Sequence, residues 1–167
     1  PDIAKATKQW YESEKDELKR FKNIIVIGYD KCLPAATEGA LKILETVQCC
    51  VRYYELEEFM HGIYHGIDKS TLILALGNQS RHLNRMVRLL GYLKEHKNAT
   101  TYLISQNKVT KHDFSYPFIE DSLFGSFEYL TVLQVLGELM SHDRGIDLYD
   151  TADENFHEYM ESYIYEK

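Results

Sequence analysis

Asn23-Ile24-Ile25-Val26-Ile27-Gly28-Tyr29-Asp30-Lys31-Cys32-Leu33-Pro34-Ala35-Ala36-Thr37-Glu38-Gly39-Ala40-Leu41-Lys42-Ile43-Leu44-Glu45 changes its apolar pattern halfway along. Up to Gly28 it is an unbroken apolar run, as a strand covered on both faces requires. Pro34 suits the first turn of a helix, where a backbone N–H has no helical partner to lose. That helix is predicted to run to about Tyr53, with residues 54–66 as loop and short helix broken at Gly62 and Gly66. The alternation then repeats. Ser70–Gly77 reads as a second strand, His82–His96 as a basic amphipathic helix with Leu83, Met86, Leu89, Leu90 and Leu93 inward, and Thr101–Ser105 as a third strand. Tyr116–Ile119 reads as a short fourth strand, and Phe124–Met140 as a strongly apolar helix. Residues 2–22 form a further helix with Trp10, Leu18 and Phe21 on one stripe. Strands alternating with helices imply parallel β-α-β units, hence an α/β fold: a three-layer α-β-α sandwich with a mostly parallel sheet. Ligands in such sheets sit beyond the carboxyl ends of the strands, at a topological switch point.

One segment carries residues suited to chemistry. Glu38, Lys42 and Glu45 stand at i, i+4 and i+7 and project from one helix face. His61-Gly62 follows shortly after. Two carboxylates, an ammonium and an imidazole suffice to move protons around a sugar carbonyl. Spacing alone favours a surface ion pair between Lys42 and Glu45, and an ordinary structural role for His61, as for His65 beside it. The Gly28-Tyr29-Asp30 turn could hold an anion at the following helix N-terminus, although Asp30 would repel it.

The 167 residues are enough for one domain with a real core. A net charge of −7 argues against nucleic acid or an anionic membrane as partner. No apolar run is long enough for a membrane span, and the first residues are too polar for a signal peptide. Cys32, Cys49 and Cys50 form an odd set without metal-ligand spacing, so no metal site and no zinc are expected; they read as reduced thiols of a cytoplasmic protein. The chain starts at Pro1 without a methionine, as a piece of a longer protein would.

The segment Glu38-Gly39-Ala40-Leu41-Lys42-Ile43-Leu44-Glu45, with Leu56-Glu57-Glu58-Phe59-Met60-His61-Gly62-Ile63, resembles the second half of a SIS (sugar isomerase) protein. It is similar to the isomerase half of glucosamine-6-phosphate synthase and to its fructosamine-6-phosphate deglycase relatives. Ile63 stands where the family has proline, and Tyr29 where it has the second glycine of the turn. The resemblance implies a SIS domain over residues 23–150, second of a tandem pair, preceded by a linker helix over 1–22 and followed by a tail over 151–167. It implies Glu45 as the C1–C2 proton-transfer base, Lys42 as its electrostatic partner and His61 as the ring-opening group, reaching the site of a neighbouring subunit. Glu38, Gly28, Tyr29 and His157 are then candidate substrate-binding residues.

The phosphate-binding half of the family carries a Ser-x-Ser-Gly-x-Thr loop; Gly77-Asn78-Gln79-Ser80 stands there instead. The sugar phosphate is therefore expected on the missing N-terminal SIS domain. Glu158, in Asn155-Phe156-His157-Glu158, stands where the synthase has a Schiff-base lysine, which disfavours glucosamine-6-phosphate synthesis. The implied activity is aldose–ketose isomerisation or fructosamine-6-phosphate deglycation, on a 6-phosphosugar or its amine adduct, in a homodimer and without cofactor. This piece alone is expected to be inactive. A phosphosugar sensor or a dimerisation domain is the alternative.

Overall fold

The computed structural model describes residues 2–119, 124–149 and 154–161. Strands β1 (Asn23–Gly28), β2 (Cys50–Glu55), β3 (Thr71–Gly77), β4 (Thr100–Ser105) and β5 (Phe114–Ser115) form one sheet, ordered β2-β1-β3-β4-β5. Every pairing is parallel. The α-helices are α1 (Ile3–Leu18), α2 (Leu33–Val47), α3 (Leu56–Met60), α4 (Leu83–Lys97), α5 (Gly125–Asp143) and α6 (Glu154–Tyr159).

Strand residues alternate between two cores. Ile24, Val26, Leu72, Leu74 and Leu76 meet α1, α2 and α5 on one face. Ile25, Ile27, Ile73, Ala75 and Leu103 meet α3 and α4 on the other. Both faces of β1 and β3 are covered, so these strands read as continuous apolar runs rather than alternating ones. The α/β three-layer sandwich expected from the sequence is the architecture found.

Two expected boundaries are corrected. The helix predicted to reach Tyr53 ends at Val47, because Gln48 adopts a left-handed conformation with φ 51° and its N–H bonds Leu44 O. Residues 50–55 are strand β2, paired along all of β1. Val47, Val51 and Tyr54 continue a helical period by coincidence, and β2 ends the sheet with Arg52 and Tyr53 in water, so no apolar run marks it. The last strand is Phe114–Ser115 rather than Tyr116–Ile119. Pro117 lacks the N–H that a ladder needs.

The N-terminal helix is integral to the core. Asp2 caps α1 by accepting from Lys5 N at 3.1 Å. Trp10, Tyr11 and Leu18 are buried, and Trp10 Nε1 donates to His112 O at 2.7 Å. Much of the tail lies outside the described residues; its described part contains α6. Among the described residues, no helix is long and apolar enough to cross a membrane.

Candidate functional site

The chain leaves β1 for α2 on one face of the sheet and leaves neighbouring β3 for α4 on the other. The carboxyl ends of these two strands therefore form the switch point. A Cβ on Gly28 would lie 2.9 Å from Ala36 Cβ and from Cys32 O, so the turn into α2 is closed against the strand. Asp30 takes φ 47° at the start of that turn.

Tyr29 is fully buried, and its hydroxyl donates to Asn78 O at 2.8 Å. Tyr129 of α5 donates to Gly77 O at 3.1 Å. The two strand-end loops are thus tied together by phenols. Asn78 is buried as well, and its Oδ1 has no hydrogen-bond partner among the described residues. An unmatched buried acceptor costs about 1–3 kcal/mol, which a donor hydroxyl or amine would recover. Sequence reasoning treated Asn78 only as part of a missing phosphate loop. The detectable signal was an amide directly after a strand-ending glycine.

The second cluster lies on α2. Gly39, Ala40 and Ile43 face inward, leaving Glu38, Lys42 and Glu45 on the outer side with Leu41 and Leu44, both exposed. Lys42 Nζ lies 2.9 Å from Glu45 Oε2 and 3.5 Å from Glu38 Oε1. The hydrogen bond to Glu45, then the Glu45 and Glu38 charges, raise the Lys42 pKa above the ordinary lysine value and keep it cationic. One ammonium thus holds two carboxylates in register.

These clusters are distinct. α2 begins at the switch-point edge but runs away from it. Twelve residues separate Leu33 from Glu45, about 18 Å of helix. Glu45 therefore sits toward the opposite edge of the sheet from Gly28 and Tyr29. His61 is in the other helical layer, exposed at the C-terminal end of α3, whose Leu56 and Phe59 pack on the far side of the sheet. The structure brings Glu38, Lys42 and Glu45 together, and separately Gly28, Tyr29 and Asn78; the sheet stands between Glu45 and His61. His157 lies on α6, its ring 5.7 Å from that of Phe156. Among the described residues, no group of three or more His, Cys, Asp or Glu side chains could hold a metal ion.

Comparison with known proteins gives concordant likenesses. The chain is 26% identical over 145 residues to glutamine–fructose-6-phosphate aminotransferase (isomerizing) of Wigglesworthia glossinidia brevipalpis, covering 81% of this chain and 23% of that protein. An inferred phosphosugar isomerase of Clostridium difficile 630 superimposes with TM-score 0.83 and 26% identity, over 95% of this chain and 44% of that one. An inferred sugar-binding protein of Salmonella typhimurium LT2 superimposes with TM-score 0.70 and 30% identity, over 81% of this chain and 41% of that one. The chain thus spans about a quarter of the curated relative and less than half of each solved one. The profile of the SIS domain matches residues 17–111, more than half of the sequence, and the chain belongs to the SIS domain family.

Proposed function

We propose that this chain is the second SIS half of a phosphosugar-processing enzyme that moves a proton between C1 and C2 of a 6-phosphosugar or its amine adduct. The observation that carries the reading is the water-facing Glu38–Lys42–Glu45 array on α2, flanked by exposed Leu41 and Leu44. Glu45 acts as the base, taking a proton from one carbon and returning it to the next. Lys42 holds the carboxylate and stabilises charge developing on the sugar oxygens. Glu38 fixes the ammonium from the other side. His61 opens the sugar ring, with neutral imidazole carrying the proton from hydroxyl to ring oxygen.

Glu45 and His61 lie in opposite layers, so a complete site takes them from two copies, in a homodimer. The N-terminal SIS domain holds the phosphate and closes over α2, removing water from the array. Aldose–ketose isomerisation and fructosamine-6-phosphate deglycation share this proton transfer. In the deglycase the same step precedes loss of the amine. A reducing, cytoplasmic setting agrees with Cys32, Cys49 and Cys50 standing as thiols rather than in disulfides. No cofactor is required.

Solvent deuterium uptake at C1 or C2, followed by NMR in D2O, tests the reading. The complete protein should exchange with fructose 6-phosphate or a fructosamine 6-phosphate. Glu45→Gln should slow exchange by about 10²–10⁴-fold. Binding without exchange for every substrate would reject the enzyme and leave the second reading, a phosphosugar sensor. The loop Gly77-Asn78-Gln79-Ser80, which lacks the Ser-x-Ser-Gly-x-Thr pattern, would instead suit a domain that only dimerises.

A further inference from the structure

The outer face of α4 is basic in an acidic protein. Arg81, Arg85 and Arg88 succeed one another at i, i+4 and i+7 and line a groove of about 660 Å³, walled by Met60 and Tyr64 and continued to Tyr92. Arg81 lies just before α4, and within the helix Arg85 to Tyr92 alone covers about 10 Å of rise, longer than a single small anion occupies. Glu57 neutralises only Arg85, through contacts of 2.6 and 2.9 Å. Arg81 Nε meets His82 Nε2 at 3.1 Å. Among the described residues, neither Arg81 nor Arg88 has a carboxylate within ion-pair distance. Arginine, tyrosine and methionine are the residue types enriched in protein interfaces.

The matching charge is in the same sequence. Residues 147–167 hold seven acids and one lysine, whereas residues 1–146 hold nineteen acids and eighteen bases. The C-terminal segment thus carries nearly all of the net charge of −7. Its described part also exposes Tyr149, Phe156, Tyr159 and Met160. Glu154 and Glu158 stand one turn apart on α6, as Arg85 and Arg88 do on α4.

We propose that the arginine groove of α4 receives the acidic, tyrosine-rich C-terminal segment of a second copy of this chain. A second copy is favoured over the chain's own tail by topology. α5 ends at the strand-start edge, where Arg144 donates to Lys19 O and Phe21 O, in the α1/α2/α5 layer. The groove belongs to the opposite layer, with the sheet between. Reciprocal exchange of two tails would form a closed two-fold assembly. The proposal uses none of the residues assigned to proton transfer and stands whether or not that assignment does.

Sedimentation velocity of the chain in about 0.05 M and about 0.5 M salt tests it, because paired surface charges are screened over that range. The chain should dimerise at low salt, with at least about tenfold weaker association at high salt. R81Q/R88Q and E154Q/E158Q/E161Q should each weaken the low-salt dimer by about tenfold or more. The charge-reversed pair R81E/R88E with E154K/E158K/E161K, combined in one chain, should restore it. Association unaffected by either neutral variant, or unrestored by the reversal, would overturn the proposal. So would a chain that stays monomeric in all conditions, whether NMR signals of α6 respond to R81Q/R88Q, meaning the chain's own tail fills the groove, or stay unchanged.

Discussion

The two sides of α2 divide the labour of the domain. Its inner side is closed so tightly that a Cβ on Gly39 would fall 2.1 Å from Leu133 Cδ1 and 2.8 Å from Leu133 Cβ of α5. Ala36, Ala40 and Ile43 complete that contact, all buried. Its outer side, across the helix axis, presents Glu38, Lys42 and Glu45 to water and adds little to the fold, since exposed ion pairs contribute little. Under the proposed function, stability and chemistry fall on opposite faces of the same fifteen residues. A helix whose inner face is fixed by close packing can carry an outer face free to serve a partner domain.

Perturbations should therefore differ by face. Leu133→Ala should be the most costly, about 2–5 kcal/mol in urea unfolding, because it leaves a cavity beneath α2. Gly39→Ala should cost about 1–3 kcal/mol through overpacking, despite alanine's better helix propensity. Added to Leu133→Ala, it should cost almost nothing more. Simple additivity in that double-mutant cycle would refute the close approach.

A pH effect belongs to the inner layer too. Tyr11 is buried between α1 and α5, with its hydroxyl 3.2 Å from Asp143 Oδ2. Burial, then the Asp143 charge, push its pKa up. A group raised in the folded state contributes stability that is complete below its unfolded pKa, near 10, and lost as pH rises beyond it. Tyr11→Phe should flatten the loss of thermal stability above about pH 10.

The smallest effects should come from the outer face. Lys42→Met and Glu45→Gln should leave the melting temperature of this chain unchanged within error. The Lys42 pKa is raised by Glu45, so its stabilising share persists below the unfolded lysine pKa and fades as pH rises through the folded one. That share is screened by solvent. A large drop in melting temperature in either variant would mean that the array is a fold element after all.

How much was legible follows from what each residue does locally. β1 and β3 were readable because burial on both faces imposes apolar runs. α2 was readable from Pro34 and the period of its apolar stripe. β2 was hidden because an edge strand with Arg52 and Tyr53 exposed imposes no such run, while Val47, Val51 and Tyr54 mimic a helical period. Glu38, Lys42 and Glu45 were predicted to share a face by helix geometry alone, and they do. The sheet between Glu45 and His61 was not legible, because it depends on which face each crossover takes. Nor was the link from Tyr29 to Asn78, which joins residues 49 apart in sequence. Such contacts belong to topology rather than to any local pattern.

The separation of Glu45 from His61 makes the central claim testable by complementation. Glu45→Gln and His61→Asn variants of the complete protein would be assayed alone, then after unfolding and co-refolding in equal amounts, by deuterium exchange at C1 or C2. If the two residues serve one site from two copies, each variant is inactive alone. The mixture then recovers about a quarter of the wild-type rate, since half of the dimers are heterodimers with one of two sites intact. No recovery, with heterodimers demonstrably formed, would contradict the account.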